Sequence, residues 1–94
     1  MMTARESTVR QHVIDWLDDN YHFGEAETLI GGDEGKSFLH NGVLDSLGFV
    51  RLLLHIEKTF GVRIDRKDLS PANFDGLRKI VAYVSALPDY HDPP

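Results

Sequence analysis

The chain contains no cysteine. That excludes a disulfide, a thiolate metal site and a cysteine nucleophile, so any thiol chemistry needs a thiol brought in from outside the sequence. Long apolar runs are missing too. No stretch approaches the roughly 20 consecutive apolar residues of a membrane span, and Met1 to Glu6 has nothing of signal-peptide length. No membrane association and a cytoplasmic location are expected. Positive charge is in deficit, with 10 Lys and Arg against 15 Asp and Glu and a formal net charge of -5. The basic face expected of a nucleic-acid or anionic-membrane binder is therefore not anticipated, whereas basic protein partners are allowed. The 94 residues suffice for one small domain with its own core but leave little room for a two-lobed active site, which argues against an enzyme.

What is present is helical patterning around a polar gap. Thr3-Ala4-Arg5-Glu6 has capping-box spacing, and Val9, Val13, Trp16 and Leu17 recur at helical intervals, predicting a first helix to about Tyr21. From His22 to Leu44 the period fails, and Gly24, Gly31, Gly32, Gly35 and Gly42 punctuate a largely acidic loop. Loops this long need anchoring, so Leu29, Ile30, Phe38, Leu39, Val43 and Leu44 are expected to pin it to the helices, with a short helical turn near Glu25 to Leu29. Asp45 is a good N-cap for the next segment. There Leu47, Val50 and Leu54 make one apolar row and Phe49, Leu53, Ile56 and Phe60 another. So wide a stripe predicts the central helix, ended by Gly61. Asp65 to Leu69 forms a short turn before Ser70-Pro71. Asn73 is the expected cap of a last helix with Leu77, Ile80, Val81, Val84 and Leu87 inward. The expectation is one domain over 1–94, folded across about 3–87 and frayed from Pro88 to Pro94.

Ser46 stands where the loop gives way to the central helix. Its hydroxyl is expected to be exposed at a helix N-terminus, where free backbone N–H groups and the helix dipole favour an anion. A phosphate ester suits that position. The segment Ser37-Phe38-Leu39 through Gly42, Asp45-Ser46-Leu47 and Leu52-Leu53-Leu54 resembles the prosthetic-group site of acyl and peptidyl carrier proteins. Phe60-Gly61-Val62-Arg63-Ile64 and Ser70-Pro71-Ala72-Asn73-Phe74 add agreement, so that the resemblance covers nearly the whole chain. It implies an all-α four-helix bundle of the acyl-carrier type, with three main helices, one short helix and a long loop after the first.

The resemblance also implies that Ser46 carries 4'-phosphopantetheine derived from coenzyme A, whose thiol holds an acyl group as a thioester while the protein catalyses nothing. Partners would be a phosphopantetheinyl transferase, an adenylating amino-acid or acyl ligase and a downstream acyl-transfer enzyme. Asp45 would cap the helix and present a carboxylate to the transferase. Leu47 and Val50 would lie close to the arm, as partner contacts or as core, with Arg51 in the same partner-recognition set. Many fatty-acid carriers have a strongly acidic central helix. This one carries Arg51, His55, Glu57 and Lys58, and Gly48 after Asp-Ser-Leu would permit close approach of a partner or the arm. The run Asp-Ser-Leu-Gly-Phe-Val-Arg-Leu-Leu-Leu is more similar to D-alanyl, peptidyl and stand-alone aminoacyl carriers, which favours an aminoacyl load. Fatty-acyl or polyketide carriage is the alternative, and an unmodified helical adaptor a second.

A catalytic serine is disfavoured, because the nucleophile elbow needs glycine at the position of Leu44 and a preceding strand. His12, His22, His40, His55 and His91 show no ligand spacing and no segment matches the twelve-residue calcium loop, so no metal site is expected. Trp16 and Phe49 are read as core, and Arg63, Arg66 and Lys67 as a solvated face. With no heptad seam, a monomer is the default.

Overall fold

A computed structural model describes residues 2–93. Thr3 closes a capping box on α1 (Ala4–Leu17): its Oγ1 accepts from the Glu6 N–H at 3.2 Å while its own N–H donates to Glu6 Oε1 at 2.8 Å. Two backbone donors at the helix start are thereby satisfied. The same bonds hold the Glu6 carboxyl below its ordinary range. Val9, Val13, Trp16 and Leu17 are buried as their spacing predicts, and Ile14 joins them. Helical bonding does not run unchanged to Tyr21. It widens into a π turn over Asp18–His22 that Phe23 ends at φ 48°. Asn20 contributes to the change, donating from Nδ2 to the Trp16 carbonyl at 2.9 Å in competition with the backbone ladder.

In the long loop, Asp18 Oδ1 accepts the Ala26 N–H at 2.9 Å and starts the short helix α2 (Ala26–Ile30). Ile30, Phe38, Val43 and Leu44 are buried and Leu39 partly so. Leu29, expected among the anchors, instead faces solvent. Charge holds the loop as well, for Arg10 on α1 lies 2.6 Å from Glu27 and 3.0 Å from Glu34.

The central helix α3 (Ser46–Phe60) buries Phe49, Leu52, Leu53, Ile56 and Phe60 and ends at Gly61, whose φ of 64° suits glycine. Val62 and Ile64 are buried beyond it in extended backbone that joins no sheet, and Arg66–Asp68 makes one 3-10 turn. Pro71 then opens the four-residue helix α4 (Pro71–Phe74), and α5 (Leu77–Ser85) follows. Asn73 therefore does not cap the last helix. It lies inside α4 and donates from Nδ2 to the Asp68 carbonyl at 3.0 Å. Helix α5 starts after Gly76 without a side-chain cap, with Leu77, Ile80, Val81 and Val84 buried and Leu87 partly buried. α1 lies along α5 and touches α2 and α3, while α4 packs on α5. The result is all-α as the resemblance implies, with α1, α3 and α5 as the three main helices, but two short helices, α2 and α4, stand where one was expected.

The segment after Pro88 is not frayed across the described residues. Tyr90 is 7% exposed and stacks on Phe60 with ring centroids 5.4 Å apart, and the Arg5 guanidinium sits 4.6 Å over its ring. The His91 N–H donates to the Phe60 carbonyl at 3.0 Å, satisfying one of the carbonyls left open at the end of α3, and Asp89 Oδ2 accepts the Arg63 N–H at 3.2 Å. An aromatic ring outweighs the breaking tendency of Pro88 because it removes so much apolar surface from water. Tyr90→Ala should therefore lower the free energy of unfolding by about 3 kcal/mol in urea denaturation; an unpacked tail would leave the midpoint unchanged.

Candidate functional site

The start of α3 is set by Asp45. Its backbone is extended, with φ -86° and ψ 178°, its Oδ1 accepts the Gly48 N–H at 2.7 Å, and its carbonyl accepts the Phe49 N–H at 2.9 Å. Ser46 is thereby the first helical residue, and its side chain is exposed. Among the described residues, neither its hydroxyl nor the backbone N–H of Ser46 or Leu47 has a protein hydrogen-bond partner. A nucleophilic oxygen stands beside two open N–H groups at the positive end of a 15-residue helix, a setting that suits a phosphate ester.

Gly48 is buried, and it serves the chain's own packing. A Cβ there would lie 3.0 Å from Tyr21 Oη and 3.1 Å from both Asp45 Oδ1 and Leu44 Cδ2. What the missing side chain admits is Tyr21 from the π turn, and the expectation that it admits a partner or the arm is corrected. Tyr21 in turn leans on Trp16 at 5.5 Å between ring centroids, and His22 Nε2 donates to the Val43 carbonyl at 2.7 Å. The π turn thus braces the chain entering α3 from one side.

Along α3 the two apolar rows part company. Phe49, Leu53, Ile56 and Phe60 are core, whereas Leu47, Val50 and Leu54 are 67%, 52% and 59% exposed. Leu47 and Val50 are therefore surface residues beside Ser46, not core. Leu54, which sequence reasoning left out of the site, continues their row. A signal was present: Leu47, Arg51, Leu54 and Lys58 follow one another at i, i+4, i+7 and i+11, so that charged and apolar residues share one stripe. Arg51 and Lys58 are exposed, and neither forms an ion pair among the described residues. The one carboxylate on α3, Glu57, accepts the Ile64 N–H at 2.8 Å and is turned to the chain beyond the helix. The free charges of the central helix are all cationic, in a chain whose net charge is -5.

On the C-terminal half of α3, His12, His55, Lys58, Thr59 and Pro93 line a shallow cleft of about 420 Å³. His55 bonds Thr59 Oγ1 at 3.1 Å, and its imidazole is held below the ordinary range by burial first and then by the charges of His12 and Lys58. Trp16 and Phe49, both 8% exposed, are core as expected.

The start of α3 thus presents a solvent-facing serine, preceded by the aspartate that caps the helix and bordered by an exposed apolar row. The family described as Phosphopantetheine attachment site matches residues 29–84. A D-alanyl carrier protein of Lacticaseibacillus casei (strain BL23) is 31% identical over 84 residues, covering 84% of this chain and 93% of that protein. A D-alanyl carrier protein of Abiotrophia defectiva is 40% identical over 43 residues, covering 46% of this chain and 54% of its own length. No solved structure gives a significant match. The chain belongs to the phosphopantetheine-attachment family of carrier proteins. It is a carrier and not an enzyme, and its cofactor is covalent 4'-phosphopantetheine, which supplies the thiol that the sequence lacks and holds an acyl group as a thioester.

Because Asp45 alone satisfies the third N–H of α3, Asp45→Ala should cost about 1 kcal/mol of stability in urea denaturation. Asp45→Ser, which restores a capping oxygen, should recover most of that loss.

Proposed function

We propose that Ser46 is the residue to which the arm is joined, and that the cargo is an aminoacyl group, D-alanyl by likeness to the two relatives. The supporting observation is the position of Ser46: it is the first residue of α3, exposed, with its hydroxyl unpartnered among the described residues and an anion-favouring helix end behind it. Ser46 Oγ supplies the oxygen of the phosphodiester, and the open N–H groups of Ser46 and Leu47 lie beside the new anion. Asp45, itself exposed, fixes the helix start.

The exposed row Leu47, Val50 and Leu54, with Arg51 beside it, is the face that partners read. These partners are a phosphopantetheinyl transferase, an adenylating amino-acid ligase that loads the thiol, and an acyl-transfer enzyme that unloads it. A flexible arm on a small rigid body raises the effective concentration of one cargo at several separate catalysts. Among the described residues no helix is long and apolar enough to cross a membrane, and we place the work of this single carrier domain in the cytoplasm.

The test is intact mass after incubation with coenzyme A and a broad-specificity phosphopantetheinyl transferase. Wild type should gain one phosphopantetheine and Ser46→Ala none, while Ser46→Ala unfolds within about 0.5 kcal/mol of wild type because its side chain is exposed. The loaded form should then accept D-alanine from an amino-acid adenylating ligase in preference to malonyl or long-chain acyl groups. Preferential malonyl or long-chain charging would replace the aminoacyl reading with fatty-acyl or polyketide carriage. No mass gain in well-folded wild type would favour an unmodified adaptor.

A further inference from the structure

Asp75 is the one charged side chain that is buried among the described residues, at 9% exposed. A carboxylate withdrawn from water is tolerable only when its oxygens are hydrogen-bonded, and no cation lies within ion-pair distance of this one. Its partners all come from the loop. Ser37 Oγ donates to Oδ2, and the Leu39 N–H donates to Oδ1 at 3.0 Å. From there the bonds propagate toward α3. Ser37 Oγ accepts the His40 N–H at 2.9 Å, and the Ser37 carbonyl accepts Asn41 Nδ2 at 2.8 Å. The Phe38 carbonyl accepts both the Val43 N–H at 2.9 Å and the Leu44 N–H at 3.2 Å. Leu44 is the residue before Asp45. Hydrogen bonds made by the consecutive loop residues Ser37, Phe38 and Leu39 therefore tie the α4–α5 junction on one side and Val43 and Leu44, just ahead of the central helix, on the other.

The junction is shaped to make that contact. Gly76, next to Asp75, has φ 140°, and a Cβ there would lie 2.9 Å from the Lys36 carbonyl, so only glycine lets the two backbones approach so closely. The Arg78 N–H donates to the Glu34 carbonyl at 2.8 Å on the same side. Gly76 holds the N-cap position of α5 and has no side chain to cap it, while the carboxylate of Asp75 is used on the loop.

We propose that Asp75 and Ser37 form a clasp that positions the Asp45–Ser46 corner for attachment of the arm, with Asp75 a positioning residue that acts through Ser37 and loop residues 37–44. Opening the clasp frees the chain entering α3, and the transferase then meets an ensemble of which only a fraction presents Ser46 correctly. The affinity of the transferase falls by that fraction, so the effect appears in KM and leaves kcat in place. The inference rests on the assignment of Ser46.

The experiment measures phosphopantetheine transfer from coenzyme A by the broad-specificity transferase, with wild type, Asp75→Asn, Ser37→Val and Ser37→Thr, below the melting transition of every variant. Ser37→Val and Ser37→Thr differ by a hydroxyl at nearly equal volume, so packing and hydrogen bonding are separated. Ser37→Val and Asp75→Asn should raise KM by about tenfold, the scale of opening expected when a buried hydrogen bond to a charged group is lost. Ser37→Thr should stay near wild type. Hydrogen exchange at the Val43 and Leu44 amides should rise by a similar factor in the two impaired variants while the amides of α1 and the middle of α5 keep their protection.

Unchanged KM in both variants, or a loss shared equally by Ser37→Thr, overturns the clasp and leaves the Ser46 assignment standing. Faster exchange throughout α1 and α5 also overturns it, showing a general stabilising role. Wild type that takes up no arm, or takes it up elsewhere than Ser46, overturns the assignment and the clasp together.

Discussion

The constraint on which the rest of the molecule depends is that a loop with little regular structure must be packed as tightly as a helix. Phe38, Val43 and Leu44 come from that loop and are as buried as the helical residues around them. Burying irregular backbone is costly unless its N–H and C=O groups find partners, and the loop finds them in itself, in Asp75 and in the flanking helices. Arg10 adds a charged tie from α1, held by Glu27 and Glu34. The helices alone would leave a gap where Phe38 sits, and α3 would have no defined point of entry. The geometry at Ser46 is inherited from the loop as much as from the helix.

Charge is arranged on a smaller scale than the whole-chain balance suggests. The excess of carboxylates lies outside the free face of α3, and Glu57 is committed to the backbone of Ile64. Solvent beside the serine meets leucine, valine and arginine, with Lys58 farther along the helix. A partner suited to that face has an apolar ridge with carboxylates at its margin, the reverse of what the net charge of -5 implies. Net charge governs solubility and long-range steering, whereas docking reads a few side chains at contact distance.

What could be read from the sequence divides along the range of the interactions involved. Asp45 and Gly61 were legible as the ends of α3 because capping is settled within four residues of chain. So were the buried positions of α1 and α5, where helical period and burial agree. The serine at the loop-to-helix corner was legible for the same local reason. Asn73 was misplaced because the start of α5 is decided by Gly76 against the Lys36 carbonyl, a contact between distant segments. Tyr90 escaped notice because its partners, Phe60 and Arg5, are far away in sequence and a nearby proline suggested disorder. The two rows on α3 looked equally apolar, and only the placement of α1, α5 and the loop decides which faces water.

The packing of Tyr90 also fixes where both extremities of the described chain lie. Arg5 rests on the Tyr90 ring and His91 bonds the last residue of α3, so the two extremities meet at the C-terminal end of that helix. Fifteen residues of helix, about 22 Å of rise, separate this meeting point from Ser46. A support, dye or neighbouring module joined near either extremity sits at the far pole from the serine and leaves the solvent around that corner open. Pulling the two extremities apart would load the ring stack and the His91 bond first, and the corner that holds the serine would feel the force last.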